Sequence, residues 1–127
     1  NNLYIQYPAL RNTTNGFEYI SDARTYRKFK YTPDTEVDWT RIYGGKVTEN
    51  VVQALARIVV AEQMASVGQS YHVAFQVHDE IIIVVPGSDE TDARKLIEKR
   101  MSTPPSWAVD LPVAFESGGG NNYGDAK

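Results

Sequence analysis

The chain has 127 residues, 42% of them hydrophobic and 23% charged, with a formal net charge of −3, which is the make-up of one globular domain and argues against a free-standing nucleic-acid binder. It holds no cysteine and two histidines, which excludes disulfides and thiolate metal sites and argues against a His-rich zinc centre. No apolar run reaches the ~18 residues of a membrane span and no N-terminal signal pattern occurs, so the expectation is a cytoplasmic chain with no membrane partner.

Charge is unevenly spread. Residues 24–57 hold seven basic side chains (Arg24, Arg27, Lys28, Lys30, Arg41, Lys46, Arg57) against four acids, whereas residues 58–127 hold five basic and ten acidic ones. A basic half joined to an acidic half suits a protein that meets phosphates with one and a cation with the other, and equally suits proteins with neither duty.

In chain order, the short aromatic or β-branched runs at 3–7, 17–20 and 28–31 predict an antiparallel ribbon, with Asn15-Gly16 as a turn. The ribbon, and a connector at 32–39 bearing Pro33 and a packing Trp39, make a first segment over 1–41. Arg24, Arg27, Lys28 and Lys30 on that ribbon suit nucleic-acid phosphates or a solvated surface alike. A second segment, 42–127, opens at Tyr43-Gly44-Gly45-Lys46 with a helix predicted over 47–65 and stopped before Gly68. Val51, Leu55, Ile58, Val59 and Met64 recur at helical spacing as its inward face. Lys46, Asn50, Gln53 and Arg57 lie along one line on the other side. Such a line is usually solvated. Two amides between two cations also form a donor set for the acceptors that every base pair shows in the minor groove.

Two apolar runs, 71–77 and 81–86, are interrupted by His78, Asp79 and Glu80 and predict a β-hairpin with an acidic tip. The unbroken apolar run after Glu80 predicts a strand covered on both faces. The tip reads either as ordinary turn chemistry or as carboxylates for a hard cation such as Mg²⁺. Ser88 is the expected N-cap of a helix over 89–101 with Ala93, Leu96, Ile97 and Met101 inward, stopped by Thr103-Pro104-Pro105. Surface pairs are expected between Arg94 and Glu98 and between Asp92 and Lys95 or Lys99. Residues 111–115 predict a closing strand, and the glycines of 117–122 a flexible run. The fold class expected is α+β: antiparallel β-ribbon, long helix, β-hairpin, second helix and closing strand.

The run Gln76-Val77-His78-Asp79-Glu80 resembles motif C of the family A DNA polymerases. The segment from Tyr43 to Arg57 is similar to the helix that precedes that motif in phage-type members. Ser106-Trp107, Leu111-Pro112-Val113-Ala114, Glu116 and Tyr123-Gly124-Asp125-Ala126-Lys127 resemble the family's C-terminus. The resemblance implies the C-terminal palm part of a DNA-directed DNA polymerase, working in a phage-infected or prophage-bearing bacterium. Its partners would be primer–template DNA, a deoxynucleoside triphosphate and the remainder of the polymerase. The implied chemistry is nucleotidyl transfer assisted by two Mg²⁺ ions about 3.5–4 Å apart, with Asp79 as metal ligand, Glu80 either behind the metal ligands or near the primer end, and His78 on the primer backbone. Lys46, Asn50, Gln53 and Arg57 would contact the duplex. The family's second catalytic aspartate and its nucleotide-binding helix have no counterpart in this sequence, which implies a chain inactive alone. The competing readings are a non-catalytic α+β accessory or interaction module, a phosphohydrolase built on His78-Asp79, and a fold whose activity has decayed.

Overall fold

A computed structural model describes residues 4–126. Among them the order of elements is β1 (Arg11–Thr13), β2 (Gly16–Tyr19), α1 (Ala23–Tyr31), β3 (Thr40–Ile42), α2 (Gly44–Gly68), β4 (Val73–Val77), β5 (Glu80–Ile83) and α3 (Glu90–Met101). The fold is α+β, with two antiparallel sheets. The chain forms two compact units, one ending at Leu55 and one beginning at Ala56, the division falling inside α2.

In the first unit β2 is central, pairing Asn12 with Phe17 on one side and Phe17 with Ile42 on the other. Thr13 accepts from the Asn15 amide and donates to the Gly16 carbonyl, and Gly16 closes the turn at φ 105°, a conformation glycine adopts without penalty. Ile20 and Ile42 are the buried residues of this unit. The Pro8 carbonyl accepts from the Ile20 amide at 2.9 Å, and Tyr7 meets Tyr19 edge-on at 5.1 Å.

An antiparallel ribbon forms, but not from all of the expected segments. Residues 4–7 form no strand, and Leu3 lies outside the described residues. Residues 28–31 are helical, because Asp22 caps α1 through a 2.5 Å bond from the Thr25 amide. The third strand is instead β3. Trp39 is a packing residue, with Phe29 edge-on at 5.8 Å and the Arg11 guanidinium 3.5 Å over its ring.

In the second unit Val59, Gln63 and Val67 form the buried line of α2, and α3 buries Ala93 and Met101. The helices are joined at their C-terminal ends. Gln63 Nε2 donates to the Met101 carbonyl at 2.6 Å, and Arg100 donates to the Ser66 carbonyl and, at 2.9 Å, to Ser70 Oγ. Carbonyls of a last turn lack intrahelical donors, and these side chains supply them. The inward face expected for α2 is only partly covered: Val51 and Leu55 are exposed, Ile58 and Met64 half-buried. Periodicity marks an apolar face but not whether anything covers it.

Four further expectations are revised. β5 is half-buried and Val84 is exposed, because β4 and β5 form a two-stranded sheet and residues 111–115 add no strand. Ser88 bonds Asp89 within a 3₁₀ turn (Gly87–Asp89) and does not cap α3. Arg94 pairs with Glu90 at 3.1 Å, one turn earlier than Glu98, and also donates to Ser117. A methyl group at Gly118 would overlap the Ala126 carbonyl, so the glycine run permits a close return of the chain.

By length and composition α2 is also long and apolar enough to cross a membrane, which the separate short apolar runs do not suggest. Arg57 and Glu62 stand in its middle, and an arginine at a bilayer centre costs about 2.5–3.5 kcal/mol.

Candidate functional site

The tip of the β4–β5 hairpin is set by its register. Val77 pairs with Glu80, leaving His78 and Asp79 as a two-residue turn. His78 has φ 50°, the left-handed region that short hairpin turns require and that histidine enters more readily than most residues. Gln76 Nε2 donates to the His78 carbonyl at 2.9 Å and holds the turn from its own strand. His78, Asp79 and Glu80 are all exposed.

The two carboxylates of the tip differ. Glu80 accepts a 2.7 Å hydrogen bond from the Tyr123 hydroxyl, and the Tyr123 ring packs edge-on against Phe75 at 5.6 Å. Asp79 has no hydrogen-bond or ion-pair partner among the described residues. It stands free at the apex, as an oxygen ligand for a hard cation would.

No three or more acidic or histidine side chains converge on a point among the described residues. Mg²⁺ is held by one or two carboxylates together with phosphate oxygens and water. The chemistry of Asp79 therefore fits one ligand of such an ion, and the described residues do not make a complete cage.

Along α2 the line of donors is present as the sequence spacing requires, but its members are not equivalent. Lys46 pairs with Glu49 at 2.9 Å, and the hydrogen bond and charge of that carboxylate raise its pKa above the ordinary lysine value. Asn50 donates to Tyr7 Oη at 3.1 Å and is half-buried. Gln53 and Arg57 are exposed, with no partner among the described residues. Two of the four donors are thus engaged and two are available.

Sequence reasoning assigns no part to Tyr7 or Tyr123. Each touches a proposed site residue 43 positions away in the chain, a separation no local pattern reveals.

The chain is similar to a DNA polymerase of Bacillus phage SP02, with 32% identity over 121 residues, covering 90% of this chain and 18% of that protein. It thus spans less than a fifth of the relative's length. No family model and no solved structure matches.

Proposed function

We propose that this chain is the C-terminal palm part of a family A, template-dependent DNA polymerase. The similarity to the phage polymerase carries the reading. It is supported by an unpartnered carboxylate, Asp79, at the apex of a hairpin pinned by Gln76 and Tyr123.

In this reading Asp79 ligates catalytic metal together with an aspartate that lies outside this chain. Mg²⁺, when bound, offsets charge on the attacking and leaving oxygens of the in-line displacement. Glu80, held by Tyr123, stays beside Asp79 near the primer end. His78 contacts the primer backbone. Gln53 and Arg57 grip the duplex directly, the amide reaching minor-groove acceptors and the guanidinium a phosphate. Lys46 and Asn50 join after leaving Glu49 and Tyr7. The deoxynucleoside triphosphate is bound by the remainder of the enzyme, so the isolated chain does not extend a primer.

The test is to graft the chain in place of the matching segment of the Bacillus phage SP02 enzyme and assay Mg²⁺-dependent primer extension. D79A should reduce extension to background while the isolated D79A chain stays folded. Extension unchanged in D79A defeats the assignment. A non-catalytic interaction module is the second reading, favoured by the exposed apolar residues Val47, Val51, Val52 and Leu55 on α2. It predicts that no tip substitution alters extension.

A further inference from the structure

α1 carries a charge pattern that its packing does not explain. Its nine residues include Arg24, Arg27, Lys28 and Lys30 and no acid. Among the described residues none of the four forms an ion pair. Arg24 and Arg27, Arg27 and Lys30, and Arg24 and Lys28 are neighbours on the helix surface, where like charges oppose helix formation. A helix this short is marginal alone, and it is held from one side by Phe29 against Trp39 and from its start by the Asp22 cap.

The other side is unpartnered and of mixed chemistry. Ala23, Tyr26, Arg27, Lys30 and Tyr31 line a shallow recess of about 320 Å³. Tyr31 is 78% exposed, and the Lys30 ammonium stands 6.0 Å from its ring centre. Arg24 lies close enough to Asp22 for their charges to interact, which leaves Arg27 and Lys30 as the cations that line the recess, neither in an ion pair among the described residues. Two cations beside two tyrosine rings match a strand of unpaired nucleotides, whose phosphates are anionic and whose bases offer flat faces for stacking. Duplex DNA would satisfy the cations and leave the rings unused.

We propose that this face of α1 binds single-stranded DNA, Arg27 and Lys30 taking backbone phosphates and Tyr31, with Tyr26, stacking a base. The choice of DNA rests on the polymerase reading above; the binding chemistry does not.

The test is fluorescence anisotropy of the complete chain with a labelled single strand of about 16 nucleotides, over a series of salt concentrations. R27A/K30A should weaken binding and flatten the plot of log K against log salt by about 1.4, two phosphate contacts at ~0.7 each. Y31A should weaken binding about tenfold without changing that slope, as loss of one stacked base does. R27K/K30R should bind like the unaltered chain, and far-UV circular dichroism should show the same helix content in every variant. The proposal falls if the unaltered chain does not bind the strand at low salt, or if R27A/K30A binds it as the unaltered chain does. It also falls if Y31A has no effect while a duplex of the same sequence binds equally well. Because D79A in the grafted polymerase leaves α1 untouched, retained extension there alongside α1-dependent strand binding would remove the polymerase reading alone. Loss of extension there with α1-independent strand binding would remove this proposal alone.

Discussion

The Tyr123 hydroxyl donates a 2.7 Å hydrogen bond to the Glu80 carboxylate, so the end of the chain closes on the hairpin that displays Asp79. Glu80 is thereby held by protein, while its neighbour keeps its oxygens for something else. Y123F removes this bond and keeps the ring on Phe75. It should cost the isolated chain at most about 0.5–1.5 kcal/mol, seen as a small shift in a denaturant midpoint. In the grafted polymerase it should lower extension, because Glu80 is no longer held beside Asp79, and move the Mg²⁺ midpoint upward. An unaltered Mg²⁺ profile would show that Tyr123 acts on the fold alone.

Gln53 is the cleanest probe of the duplex-facing line. It is exposed and unpartnered among the described residues, whereas Asn50 also holds Tyr7. Q53A should weaken binding to a primer–template duplex, by gel shift, with little change in the salt slope. R57A should lower that slope by about 0.9. Equal binding by both variants would take this helix face out of the interface.

His78 holds φ 50° without being glycine, a conformation that costs an L-residue roughly 1–2 kcal/mol. H78G should therefore raise the melting temperature, and H78V should lower it because a β-branched side chain fits this region worst. A valine variant as stable as the original would mean the turn is formed differently.

Gln63 is buried and its amide meets the Met101 carbonyl at 2.6 Å. Q63L keeps an apolar side chain of similar length and leaves that carbonyl unsatisfied, at a cost of about 1–3 kcal/mol. Equilibrium urea unfolding measures it. A neutral result would show that water replaces the amide.

The Asp22 carboxyl titrates below its ordinary value because it accepts hydrogen bonds from Thr25 and lies near Arg24. A carboxyl depressed in the folded state contributes stability above its unfolded pKa and loses it as pH falls through the folded one. α1 should accordingly fray in acid, below the ordinary carboxylate range. D22N caps without titrating, so its helical circular dichroism should fall less over that range, and D22A should be less helical at neutral pH. Identical acid profiles for D22N and the unaltered chain would contradict this.

The α+β class, the presence of α2, the hairpin with its polar tip and the proline stop after α3 are legible in the sequence, because each follows from spacing within a dozen residues, whereas α2 runs about one turn further at each end than its pattern predicts. α1 is hidden from a local reading because the aromatic run at 28–31 has strand character when taken alone, and only the Asp22 cap upstream decides for helix. The sequence could mark Asp79 and Glu80 as a pair but could not tell them apart. That difference comes from Tyr123, as the difference between Asn50 and Gln53 comes from Tyr7. Local pattern determines which backbone conformation each segment prefers. Whether Asn50 and Glu80 are engaged depends on partners 43 residues distant, and only the folded chain brings those within reach.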